Sequence, residues 1–119
     1  MPRILVLEDE VLISFLLCDW LAELGCETVG PVNSVVRALD LISNAMPDGA
    51  ILDVSVGGEN SYPVAAALRS KGVPFAFATG RAACDVTDLF QDALMLPKPF
   101  DFEGVRRVMA EMLQPDQLR

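Results

Sequence analysis

The chain contains no histidine. Every catalytic scheme that pairs a serine or cysteine with an imidazole base is therefore excluded, as is a zinc site completed by histidine. Cysteine is scarce too. Cys18, Cys26 and Cys84 are 3, an odd number, in apolar surroundings and without a CxxC spacing, so they read as structural thiols rather than a disulfide framework. Positive charge is also in short supply: 9 Lys and Arg stand against 17 Asp and Glu, a net charge of −8. That balance argues against direct contact with nucleic acid or an anionic membrane and points to proteins as partners. The longest apolar run, residues 11–18, is interrupted by Ser14 and closed by Asp19, far short of the roughly 20 residues of a membrane span. The amino terminus reaches Glu8, Asp9 and Glu10 before a signal-peptide apolar region could form. A cytoplasmic location is the expectation, and any chemistry must use carboxylates, hydroxyls, amines or a metal.

What is present is a chain of 119 residues, 52% of them hydrophobic, the size and composition of one domain with a proper core. We expect a single domain over residues 1–119, with no linker, no repeat and no output domain. Residues 3–7 are a short apolar run of strand formers, as in a strand buried on both faces of a parallel sheet. Residues 10–24 favour helix and end at Gly25; residues 26–30 read as a second strand. Asn33 or Ser34 can cap a helix reaching about residue 45, and Pro47-Asp48-Gly49 marks a turn before strand 50–53. Residues 54–60, with Gly57-Gly58, read as a loop, Ser61 as the cap of a helix carrying Pro63 in its first turn, and residues 73–79 as the fourth strand. A short polar helix over 82–90, a fifth strand over 93–96 and a last helix from Asp101 to about Leu113 complete the pattern. Five apolar strands alternating with five helices predict an α/β fold, a doubly wound parallel sheet with helices on both faces.

In such a sheet, function gathers at the carboxyl ends of the strands. Here the first strand ends in Glu8-Asp9, the third in Asp53, the fourth in Thr79, and the fifth is followed at once by Lys98, between Pro97 and Pro99. Any one of these alone is an ordinary cap or loop residue; four strand ends aimed at one crevice are a site. Three carboxylates in one pocket repel each other unless a cation neutralises them. Mg²⁺ prefers oxygen ligands and is held by one or two carboxylates plus phosphate oxygens, which suits Asp9 and Asp53 directly, with Glu8 acting through water. An Asp carboxylate can form an aspartyl phosphate, a lysine can offset charge on the transferring group, and Thr79 offers a hydroxyl donor.

Over essentially its whole length the chain resembles the receiver domains of two-component response regulators. Ile4-Leu-Val-Leu-Glu-Asp-Glu10, Ile51-Leu-Asp53, Phe77-Ala-Thr-Gly80 and Lys98-Pro-Phe100 carry the likeness, in order and at suitable spacing. The resemblance implies that Asp53 is the phosphoacceptor, that Glu8, Asp9, Asp53 and the backbone carbonyl of Ser55 hold Mg²⁺, and that Thr79 and Lys98 bind the phosphoryl oxygens. It also implies the flavodoxin-like strand order 2-1-3-4-5 and a cis peptide at Lys98-Pro99. The partner implied is a histidine kinase or histidine phosphotransfer protein. Output would be a protein contact or a phosphate-sink role, and the chain would not be a turnover enzyme.

Two features depart from the pattern. The Phe-Ala-Thr-Gly tetrad is similar to a subclass in which an aromatic soon follows, but here Arg81-Ala82-Ala83 follows; and Met95 stands where many receivers carry Tyr or Phe three residues before the lysine. A switch based on reordering of residues 80–90 is the expectation. The first helix holds more apolar residues than one buried face requires, and Leu12, Phe15 and Leu16 could form a patch for a helical phosphodonor or a second copy of the chain. The rival readings are a phosphate-independent module of the same fold, disfavoured by the intact set Glu8, Asp9, Asp53, Thr79 and Lys98, and a flavin protein or Mg²⁺-dependent phosphatase. The last two lack, respectively, a Gly-rich phosphate loop after the first strand and a second acid two residues beyond Asp53.

Overall fold

The computed structural model describes residues 1–80, 90 and 92–113. The elements in chain order are β1 (Arg3–Leu7), α1 (Val11–Glu23), β2 (Glu27–Val32), α2 (Val35–Asn44), β3 (Gly49–Asp53), β4 (Ser55–Val56), β5 (Glu59–Asn60), α3 (Tyr62–Ser70), β6 (Phe75–Thr79), β7 (Leu94–Pro97) and α4 (Phe102–Met112). Five strands form one sheet in the order β2-β1-β3-β6-β7, every neighbouring pair parallel. Counted over that sheet alone, this is the expected flavodoxin-like order. The helix expected over 82–90 lies outside the described residues except for Phe90, so four of the five expected helices are seen.

Strand alternation divides the core. Leu5, Leu7, Ala50, Leu52, Phe75 and Phe77 face α2 and α3, meeting Ala38, Ile42, Val64 and Leu68. Ile4, Val6, Ile51, Ala76, Ala78 and Leu96 face α1 and α4, meeting Leu17, Leu21, Val105 and Met109. Both faces of the inner strands are thus buried, which is why these strands read as continuous apolar runs rather than alternating ones.

Local chemistry sets the element boundaries. Ser34 caps α2 by accepting from the Arg37 N–H at 3.2 Å, and Asp101 caps α4 by accepting from the Gly104 N–H at 2.8 Å. Ser61 does not cap α3 as expected: its side chain makes no cap bond and its hydroxyl donates instead to the Val54 carbonyl at 3.4 Å. Residues 54–60 are not simply a loop but hold an antiparallel hairpin, Ser55 opposite Asn60 and Val56 opposite Glu59. At the edge, β2 gains a residue between the partners of Leu5 and Leu7, and Gly30 and Pro31 sit in this bulge. Gly30 has φ +99°, and a Cβ there would come within 2.8 Å of the Val32 nitrogen, so glycine is required. Among the described residues no helix is long and apolar enough to cross a membrane.

Candidate functional site

One row of side chains runs along β1, β3 and β7 on the α1/α4 side of the sheet. Ile4 and Val6 continue to Glu8, Ile51 to Asp53, and Leu96 to Lys98. Period-2 geometry therefore delivers two acids and one amine to the same corner. Lys98 Nζ lies 3.1 Å from Glu8 Oε1 and 3.3 Å from Asp53 Oδ2. Asp9, the next residue along, brings a third carboxylate, and Glu8, Asp9 and Asp53 each place an oxygen within 4.8 Å of the others. The Asp9 carboxylate also accepts from the Gly57 N–H at 3.2 Å, which ties the β4-β5 turn to the end of β1. Ser55 opens β4 two residues past Asp53. The sequence-predicted residues Glu8, Asp9, Asp53 and Lys98 are thus brought together.

Thr79 ends β6 beside them, buried, and its carbonyl accepts from the Lys98 N–H at 2.7 Å. It belongs to the other row of β6, with Phe75 and Phe77. The Lys98-Pro99 peptide is cis, as expected, and so is Gly30-Pro31, which was not.

The electrostatics are those of an under-neutralised acid pocket. Burial and then the Glu8 charge push the Asp53 carboxyl up to about 6, with Lys98 pulling it back. Burial works against the Lys98 ammonium, but contact with Glu8 and the charges of Asp53 and Glu8 outweigh it and leave its pKa raised. Glu8 Oε1 is buried and faces the Lys98 ammonium at 3.1 Å. Its mate Oε2 accepts from the Glu10 N–H at 3.1 Å. Three carboxylates with oxygens within 4.8 Å of one another, offset by a single ammonium, form an all-oxygen donor set that suits a hard divalent cation such as Mg²⁺.

Apolar surface borders the acids on both sides. Val11, Leu12, Phe15 and Leu16 of α1 are 63%, 78%, 59% and 47% exposed, so neither the sheet nor α4 covers the patch expected from the sequence. One cleft, of about 430 Å³, runs from Ile13 and Leu16 to Gly80, Lys98, Pro99 and Phe100. Trp20 meets Phe100 edge-on at 6.3 Å, a packing role. A second cleft, of about 250 Å³, joins Glu8 and Asp9 to Val11, Phe15, Asn33 and Arg37. Sequence reading missed Arg37, because only the fold carries the first turn of α2 to the acid pocket. The reordering expected for residues 80–90 falls mostly outside the described residues. Met95 is half-buried against the α2/α3 core.

No family model matches the chain. It is similar to the sensory transduction protein LytT of Bacillus subtilis (strain 168), 31% identical over an alignment of 113 residues that covers 92% of this chain and 47% of LytT. The chain thus spans about half the length of that curated relative. Among solved structures it is similar to SdrG from Sphingomonas melonis Fr1, at 43% identity, covering 96% of this chain and 98% of SdrG with a TM-score of 0.84. The BeF3-activated conformation of SdrG, from Pseudomonas melonis Fr1, matches at 43% identity, 94% and 96% coverage and a TM-score of 0.81. The receiver domain of the response regulator PhyR from Erythrobacter litoralis shares the fold, with a TM-score of 0.83 at 24% identity over 93% of this chain and 88% of that one.

Proposed function

The chain belongs to the response-regulator receiver family, and from that premise we propose that it accepts a phosphoryl group on Asp53 from a histidine kinase or histidine phosphotransfer protein. The observation that carries this reading is the meeting of Asp53 with Lys98 at 3.3 Å inside a pocket whose other walls are Glu8 and Asp9. An oxygen of the Asp53 carboxylate attacks phosphorus, the P–N bond of the donor phosphohistidine breaks, and the leaving imidazole takes up a proton. Glu8, Asp9 and Asp53, with the backbone carbonyl of Ser55, would hold Mg²⁺, which when bound offsets charge on the transferring oxygens. Lys98, which spans Glu8 and Asp53 in the resting protein, pairs with a phosphoryl oxygen in the product. The Thr79 hydroxyl donates to another.

The exposed row Val11, Leu12, Phe15 and Leu16, together with the Pro99-Phe100 cleft, is the surface on which a helical phosphodonor lies while presenting its histidine to Asp53. One phosphoryl group per chain is accepted rather than turned over, and it acts as a charge switch on a protein contact or drains a relay as a sink.

The test is the intact mass of the protein after incubation with Mg²⁺ and acetyl phosphate, beside an Asp53→Asn variant. A single phosphoryl adduct on the wild type and none on the variant is expected. No adduct, with no beryllofluoride binding either, would overturn the reading in favour of a phosphate-independent module.

A further inference from the structure

Four of the eight aromatic residues, Tyr62, Phe75, Phe77 and Phe90, pack against one another on the α2/α3 side of the sheet, away from the acid pocket. Tyr62, the first residue of α3, stacks on Phe90 at 5.5 Å and 27° and meets Phe77 edge-on at 5.9 Å. Phe90, itself buried, contacts Phe77 at 5.7 Å and Phe75 at 6.0 Å, both edge-on. The Arg69 guanidinium closes the cluster from outside, 4.9 Å from the Phe90 ring and 5.4 Å from that of Phe75, while its Nη2 pairs with Asp92 Oδ1 at 3.1 Å. A cation shared between two ring faces and a carboxylate two residues beyond Phe90 holds that residue from both ends.

Two short paths join this cluster to the phosphoacceptor. Tyr62 follows Ser61, whose N–H donates to the Val54 carbonyl at 2.9 Å and whose hydroxyl donates to the same oxygen, and Val54 is the neighbour of Asp53. Phe77 shares its row on β6 with Thr79, two residues on, and the Thr79 carbonyl is bonded to the Lys98 N–H. Any movement of the β3–α3 connection or of Thr79 therefore reaches Tyr62 or Phe77 in one step. A tightly packed ring cluster answers such displacements by changing between discrete packings rather than by deforming smoothly.

Resting on the assignment of Asp53 as phosphoacceptor, we propose that the Tyr62–Phe77–Phe90 cluster is the relay by which this chain registers phosphorylation. Arg69 is its positioning residue, holding Phe90 in the resting packing through the ring face and Asp92. Because Arg69 favours the resting state, removing it shifts the equilibrium toward the phosphorylated one, and ligand affinity at Asp53 rises by the same factor.

The experiment titrates the full chain with beryllofluoride and Mg²⁺, comparing wild type, Arg69→Ala and Arg69→Lys, and follows the Phe90 ring by aromatic NMR. Beryllofluoride is expected to shift the Phe90 ring signals of the wild type. Arg69→Ala is expected to bind it about two- to fivefold more tightly, with Arg69→Lys between the two. A purely structural Arg69 would lower the melting temperature of free and bound protein alike and leave the affinity unchanged. That result, or unmoved Phe90 signals in a wild type that binds beryllofluoride, overturns the relay. A wild type that neither binds it nor forms a phosphoryl adduct overturns the phosphoacceptor reading instead.

Discussion

On the α2/α3 side of the sheet the apolar side chains are nearly all used in packing, with Val36 the large exposed exception on those helices, whereas on the α1/α4 side a whole row is left over. Val64, Ala65 and Leu68 of α3 are buried and close over Phe75 and Phe77. In α1, Leu17 and Leu21 do the equivalent work, while Val11, Leu12, Phe15 and Leu16 stay in solvent beside Glu8 and Asp9. Leaving four large apolar residues exposed gains nothing for folding, so their place at the rim of the acid pocket points to recognition. The ring-filled side, by contrast, carries rigidity, and it lies where a change at Asp53 or Thr79 can be felt.

Breaking the ring-filled side should cost most. Phe77 is fully buried and touches three other rings. Phe77→Ala should lose about 3–5 kcal/mol of stability, measured by urea unfolding, as expected for a large core cavity. A loss below about 1 kcal/mol would mean that the cluster is not a packed core. At the sheet edge, Gly30→Ala places a Cβ against the Val32 backbone at a φ of +99° and should cost about 2 kcal/mol. An unchanged unfolding midpoint would show that the bulge relaxes freely.

The acid pocket should respond to pH in a direction opposite to that of an ordinary paired carboxylate. Its Asp53 carboxyl is pushed up to about 6, above its ordinary value of 3.8. The folded state therefore binds that proton more readily than the unfolded one. The resulting stabilisation is fully present below the unfolded value and is lost as pH rises through about 6. In the presence of a chelator, Asp53→Asn should be more stable than wild type by about 1 kcal/mol at about pH 7.5, allowing for partial solvent screening. The gap should close toward about pH 4. A pH-independent gap would place its cause in packing rather than charge.

The smallest stability change is expected at the exposed row. Leu12→Ser and Phe15→Ser should alter unfolding free energy by no more than about 0.5 kcal/mol each. They should leave phosphorylation by acetyl phosphate unchanged and slow transfer from a phosphorylated histidine protein about tenfold or more, as loss of interface anchors does. Equal transfer rates would strip the exposed row of its recognition role and leave the two sides of the sheet differing in packing alone.

Much of this was legible before folding was considered. Short apolar strands between helical stretches gave the sheet away, because a strand buried on both faces has no polar side to show. Glu8, Asp9, Asp53 and Lys98 stood out because charge directly after such a strand has only the strand end to occupy. The hairpin at Ser55–Val56 and Glu59–Asn60 was not legible, since two-residue strands carry no period. Nor was the role of the Ser61 hydroxyl, because a capping serine and one that bonds Val54 across the connection look identical in a sequence.

The sequence by itself determined the alternation of elements and which charged groups stand at the strand ends, because both follow from residue type and from spacing along the chain. Only the tertiary structure decided that Lys98 rests between Glu8 and Asp53, that the α1 row stays uncovered, and that Tyr62 lies on Phe90. Each of those pairings joins residues far apart in sequence, and strand order together with helix packing chooses such neighbours where local propensity cannot.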